Sequence, residues 1–236
     1  MDPMRELLAD HLGTGVERQG RLADAIGDAA WSLDVAGQRL DFANGLSYAV
    51  DVIGSAAEDR GTWMWAWANS SLEPAVRAAS QRLRQEGAAR KIGAFTEQIV
   101  PLGEPPDGID GHAVGLVAVA LLGGQAYYLA RNPPLSVLLV VHASALELPA
   151  LTGPDLRATL PNVLGLYEIP SARSLRPYLD QRAAAVSEDG SRWLVTTSDG
   201  QRTAILWDDQ GRVTGWEATL DAQPTGTRRW RLPGRG

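Results

Sequence analysis

The chain has 236 residues, a formal charge of −6 and no cysteine. It carries 44% apolar and 21% charged residues, the proportions of an ordinary soluble globular protein with room for a sizeable core. The missing cysteines exclude disulfides, thiolate zinc sites, iron–sulfur clusters and thiol nucleophiles, and the acidic balance disfavours wholesale binding to a phosphate backbone.

The opening residues, MDPMRELLADHLG, lack the apolar stretch of a secretory signal. The longest apolar run, 113–124, is about half of the ~20 residues a membrane-spanning helix needs, so a cytoplasmic location is expected. Lys91 is the only lysine. With the abundance of arginine, alanine and glycine, this reads as GC-rich bacterial coding rather than selection of arginine at a site.

Residues 3–27 read as a helix with a break near Gly13–Gly15. From Trp31 the apolar period drops to two. WSLDVAG, QRLDFANG, LSYAVDVIGS and TWMWAWAN predict an antiparallel meander of up to four strands, with Ala36-Gly37 and Asn44-Gly45 as turns. Ser70 and Glu73 have capping-box spacing and Pro74 suits a first turn. Leu72, Val76, Ala79 and Leu83 then form a helical stripe ended by Gly87. A proline- and glycine-rich loop (101–111) precedes an apolar helix ending at Gly123-Gly124. QAYYLA and LSVLLVVHA follow as strands around an Arg-Asn-Pro-Pro turn.

A cluster of prolines places a boundary near residue 150. Beyond it, Ser174 is positioned to cap a helix over 175–186, with Pro177 in its first turn. SRWLVTTS, QRTAILWD and RVTGWEATL predict three short strands. The organisation expected is α+β. An N-terminal helix, an antiparallel meander and covering helices fill residues 1–149, a small helix plus three-stranded unit fills 150–221, and a flexible tail spans 222–236.

Alternation on the strand over 62–69 puts Trp63, Trp65 and Trp67 on one face and Met64, Ala66 and Ala68 on the other. Both faces are apolar, which predicts a strand covered on both sides. Burying three indoles would contribute at most roughly 10–20 kcal/mol. The stretch therefore reads first as core. As a pocket wall, Trp63, Trp65 and Trp67 with Tyr127 and Tyr128 would stack and hydrogen-bond a small ligand.

IGSAAEDRGTWMWAWANSS, followed by a helix and by LLGGQAYY, resembles a family of uncharacterised bacterial domains sharing a Thr-Trp-x-Trp-Ala-Trp-Ala-Asn strand and a later Tyr-Tyr. The resemblance covers roughly residues 5–145. It implies no activity and carries no catalytic residues with it.

Outside this stretch the chemistry is sparse. No nucleophile elbow, phosphate-binding loop, dinucleotide fingerprint or His-Glu-x-x-His helix is present. His11 reads as a surface helix residue and His142 as a strand end. Asp107, Asp110 and His112 share the loop DGIDGH and could offer three ligands to a divalent ion, but turn chemistry explains the loop equally well. Glu58-Asp59 and Asp208-Asp209 fall in predicted turns. Arg228-Arg229-Trp230-Arg231 is the only candidate nucleic-acid contact.

The function expected is a non-catalytic binding or accessory protein of the bacterial cytosol, immunity-type or chaperone-like, with an unknown protein partner. The alternative is a small-molecule-binding protein or enzyme with a Trp/Tyr-lined pocket. No cofactor or metal is expected.

Overall fold

Asp2 caps the first helix, its carboxylate accepting the Arg5 N–H at 3.1 Å, and Pro3 occupies the first turn. In the computed structural model, which describes residues 2–103, 108–164 and 166–219, helix α1 then runs unbroken over Pro3–Ile26. The expected break at Gly13–Gly15 does not occur, because these glycines serve packing. A Cβ on Gly13 would lie 2.5 Å from Tyr178 Cβ, and one on Gly15 would lie 2.4 Å from Leu116 Cδ2. Two other helices approach α1 at these points.

Strands β1 (Trp31–Asp34), β2 (Arg39–Phe42), β3 (Ser47–Ala57) and β4 (Thr62–Trp65) form the antiparallel meander. Asn44 and Gly45, the latter at φ 89°, turn β2 into β3, and the Asn44 amide donates to Ala25 O at 3.1 Å, tying the turn to the end of α1. Helices α2 (Pro74–Arg90) and α3 (Gly93–Thr96), strand β5 (Ile99–Pro101) and helix α4 (Gly111–Leu122) follow. The hairpin β6 (Ala126–Asn132) and β7 (Leu135–His142) returns to lay β7 along the free edge of β3.

The sheet curls strongly. Strands β3 and β7 lie between β2 and β6, yet the rings of Phe42 and Tyr128 are 5.4 Å apart. In a flat sheet three strand spacings would separate them by ~14 Å. The curl makes two apolar clusters. One face carries Ala56, Trp63, Trp65, Tyr127, Leu138 and Val140 against α1 and α4. The other holds Leu40, Phe42, Tyr48, Val50, Val52, Leu139 and Val141.

The strand of tryptophans ends at Trp65, and residues 66–68 form a single 3₁₀ turn. The fully buried Ser80 explains the departure. Its hydroxyl donates to Ile53 O at 2.8 Å and accepts the Trp67 N–H at 3.2 Å, drawing the chain off the sheet toward α2. Trp67 is therefore buried in the same core without continuing the alternation. Met64, on the opposite face, is half-buried and lies near Ile99, which is 59% exposed, so that face is not fully covered.

Helix α2 begins at Pro74, with Glu73 as its N-cap residue and no side-chain cap. The Asn69 side-chain oxygen Oδ1 takes the Ser71 N–H at 3.0 Å and the Ser71 hydroxyl at 2.6 Å, so a local Asx turn stands where the Ser70–Glu73 capping box was expected.

After residue 150 come helices α5 (Gly153–Val163) and α6 (Ser171–Gln181) and an antiparallel sheet of β8 (Ala185–Asp189), β9 (Arg192–Thr196), β10 (Arg202–Trp207) and β11 (Val213–Thr219). This unit has one helix and one strand more than expected. The capping box stands here, formed by Thr152 and Asp155, with Pro154 in the first turn of α5. Ser174 caps nothing. It lies inside α6, 1% exposed, and donates to Ser171 O at 3.2 Å.

Leu156, Leu160, Leu175, Leu179, Val195 and Ile205 join the first apolar cluster. Arg182 grips Glu17 of α1 through two bonds, 2.9 Å from Nε and 3.0 Å from Nη2, and both side chains are over nine-tenths buried. The Tyr178 hydroxyl donates to the same Glu17 carboxylate at 3.0 Å. Residues 222–236, with the arginines around Trp230, lie outside the described residues, as does Asp107.

Candidate functional site

Trp63 and Trp65 are fully buried and Trp67 is 7% exposed. Trp63 meets Trp65 edge-on with ring centroids 5.5 Å apart, and Trp65 meets Phe95 at 5.0 Å. Trp65 donates its indole N–H to Ala94 O at 2.9 Å. The Arg84 guanidinium sits 4.2 Å over the Trp67 ring. The Trp63 and Trp67 indole nitrogens have no acceptor among the described residues.

The two tyrosines diverge. Tyr127 and Tyr128 are successive residues of β6, so they face opposite sides of the sheet. Tyr128 packs against Trp31 and Phe42 in the second cluster. Tyr127 lies over Gly115 of α4, where a Cβ would sit 2.5 Å from its Cγ. The five residues proposed as one pocket wall therefore do not converge. Trp65 and Tyr128 belong to separate packed regions, and Trp67 lies beneath Arg84.

Trp63 borders a substantial cleft, and Tyr127 reaches it through His112. The cleft has a volume of about 480 Å³. It lies between the N-terminus of α4, the ends of β3, β6 and β7, and residues 102–103, with Trp63, Leu129 and Ile109 as apolar wall.

Asp110 organises its rim. One carboxylate oxygen accepts the His112 N–H at 3.2 Å and the other accepts the Ala113 N–H at 2.9 Å, capping α4. The Tyr167 hydroxyl, from the C-terminal unit, donates to the second oxygen at 2.8 Å.

His112 Nδ1 is 2.9 Å from the Tyr127 hydroxyl. Burial, and then the negative charge of Asp110, push the Tyr127 hydroxyl well above the ordinary tyrosine range. The hydroxyl keeps its proton, and a buried hydroxyl donates where it can. Where the imidazole carries its proton on Nε2, the hydroxyl donates to Nδ1; the roles in this pair follow the tautomer of His112. Across the cleft the Ser136 hydroxyl donates to Glu58 at 2.7 Å, with Arg131 opposite Ser136 on β6.

Arg131, Ser136 and Tyr167 were not singled out by sequence reasoning, and Glu58 was read there only as half of an acidic turn pair. Glu58 and Ser136 are 78 residues apart, and no local pattern couples them. Tyr167 sits in a left-handed turn at φ 56° that no glycine or asparagine marks.

Other candidate groups take structural roles. Asp110 and His112 share a loop, but the Asp110 carboxylate is committed to the helix cap and Tyr167. No group of three or more acidic or histidine side chains among the described residues could hold a metal ion. His142 Nε2 is 2.8 Å from Asp51 across the β3–β7 pair. Asp208 holds its own turn by accepting from Gln210 N and Arg212 N, and the backbone bond from Arg212 holds its carboxyl below the usual carboxylate range.

No helix among the described residues is long and apolar enough to cross a membrane. Residues 5–144 match the model of a family described as a family of unknown function (DUF6882). No curated protein and no solved structure matches.

Proposed function

The chain belongs to that family of unknown function, and from this premise we propose that it is a non-catalytic binding protein that holds a small, partly apolar ligand in the cleft at the N-terminus of α4. The observation that carries the reading is the cleft itself: about 480 Å³ of space lined by half-buried Leu102 and Leu129 and by the fully buried Trp63, with a rim fixed by paired polar groups. Such a volume suits a compact small molecule.

The rim supports binding over chemistry. Ser136 is bonded to Glu58, His112 to Tyr127, and Asp110 to two backbone amides and Tyr167. Polar groups held in this way are rigid and pre-oriented, which lowers the ordering cost of binding. Nε2 of His112 and the second oxygen of Glu58 have no partner among the described residues and are left to meet a ligand.

The reading is tested by a fragment titration of the full chain followed on the His112 ring resonances and the Trp63 indole N–H. Bound fragments should move both, and Tyr167→Phe, which removes one of three donors to the Asp110 carboxylate, should weaken the same fragments several-fold. Fragments that bind while leaving His112 and Trp63 unmoved would place the site elsewhere.

A protein partner remains the second reading, carried by a different observation. Ile99 and Leu135 are 59% and 50% exposed beside Met64 and Pro134 on the outer face of the β4–β5 end. Ile99→Lys should abolish association with such a partner and leave fragment binding in the cleft unchanged.

A further inference from the structure

His11, Thr14 and Arg18 fall at i, i+3 and i+7 of α1, one stripe of the helix. The stripe faces a second cleft, of about 510 Å³, walled by α4, Gln125, Glu147 and the end of α6. It exists because Gly15 lets α4 approach α1 beside it.

The polar side chains around this cleft fall into two groups. Some are committed. The Thr14 hydroxyl donates to Gln181 Oε1 at 2.9 Å, and the Gln181 amide donates to Asp10 O at 2.7 Å. Arg182 is held by Glu17. Others are not. Arg18 Nε is buried without an acceptor, and no carboxylate among the described residues pairs with this guanidinium. Gln125 Oε1 accepts the Ala143 N–H at 2.8 Å, which orients the amide and leaves its NH₂ unspent. His11 has no hydrogen bond from its ring among the described residues. Its pKa is lowered, chiefly by burial, with Arg18 and Arg90 acting in the same sense and Asp10 against them.

The uncommitted groups are thus mainly donors, and one carries a permanent charge. A guanidinium with a buried, unsatisfied N–H is costly until an acceptor arrives. Its planar fork matches two oxygens of one oxyanion. Among the described residues Glu147 is the one acidic side chain in the wall; it is exposed and none of them holds it in an ion pair.

We propose that this second cleft is an oxyanion site, in which Arg18 receives a carboxylate or phosphate group bidentately and Gln125 donates beside it. The site is independent of the ligand cleft at α4. The chain as a whole carries a charge of −6 and has no diffuse attraction for anions, so saturable binding requires a local arrangement of this kind.

The test is a titration of the full chain with inorganic phosphate, and separately with acetate, at ionic strength held constant with sodium chloride. The readout is the Gln125 side-chain NH₂ resonance, followed in wild type together with the Arg18 Nε–H. A saturable displacement at millimolar anion is expected, absent in Arg18→Gln and retained in Arg212→Gln. A shift with phosphate alone assigns a phosphate-class ligand; a shift with both assigns oxyanions generally. Arg18→Lys keeps the charge and loses the fork, and should weaken binding at least fivefold. A resonance that does not move, one that follows ionic strength alone, or undiminished binding in Arg18→Lys would overturn the proposal.

Discussion

The indole N–H of Trp65 meets the carbonyl of Ala94 at 2.9 Å, joining β4 to α3, while Trp63 two residues earlier is equally buried and donates to none of the described residues. The two rings are alike in area and unlike in hydrogen bonding. Phenylalanine at either position removes ring area, but at 65 it also leaves the Ala94 carbonyl without its partner. A buried acceptor left unsatisfied costs about 1–3 kcal/mol. Trp65→Phe is therefore expected to destabilise by about 1–2 kcal/mol more than Trp63→Phe, measured by urea denaturation with equal m-values.

Three glycines of α1 offer an internal comparison. A Cβ at Gly13 would strike Tyr178 at 2.5 Å, whereas a Cβ at Gly20 meets nothing within 4 Å. Gly20→Ala should stabilise by about 0.5–1 kcal/mol through helix propensity. Gly13→Ala should destabilise by about 1–3 kcal/mol through overpacking. Gly15→Ala meets only the end of Leu116 and should fall between them. Thermal melts of the three variants check the order.

Glu17 and Arg182 form a buried ion pair between α1 and the residue that follows α6. Removing one partner leaves a buried charge, and Arg182→Met is expected to cost about 3–5 kcal/mol. The double change Glu17→Leu with Arg182→Met should recover much of the loss. Because this pair and the shared apolar cluster cross residue 150, wild type should unfold in one transition seen alike by far-ultraviolet dichroism and tryptophan fluorescence.

The lowered pKa of His11 gives a pH dependence with a definite sign. Burial is the main cause, and the ordinary value is 6.5. The folded chain binds this proton less readily than the unfolded chain. The contribution to stability is therefore whole above about pH 6.5 and is lost as pH falls through the lower folded value. His11→Gln should lose less stability than wild type between pH 7.5 and 5.5 in urea titrations.

The parts of the fold that were legible in sequence are those written in local pattern. Period-two apolar alternation and Asn44-Gly45 mark the meander. Gly123, at φ 74°, ends α4 where the sequence indicates. The remaining features depend on partners distant in the chain. Trp67 leaves the strand because Ser80 captures its amide, and no alternation rule contains that bond. Helix α5 was hidden by Pro154 and Pro161, although Thr152 and Asp155 carry its capping box. Strand β8 is exposed at nearly every position and so lacks a period to detect.

The candidate site was legible only at single residues. Trp63 and Tyr127 were identified for their size and for a hydroxyl, and His112 for its loop. Their convergence depends on the register of β6 against β7 and on Tyr167, which lies outside the family match. Tyr128 shares the sequence signal of Tyr127 and lies on the other face of the strand, a distinction set by which side α4 covers.

The most direct measurement is a crystallographic fragment screen of the full chain. Binding in the cleft at the N-terminus of α4 predicts a cluster of fragments against Leu129, within hydrogen-bond reach of His112 Nε2 and Glu58, and the loss of that cluster in Leu129→Trp crystals, where the added indole fills the space. A screen whose fragments collect elsewhere, with that cleft holding only water, would contradict it.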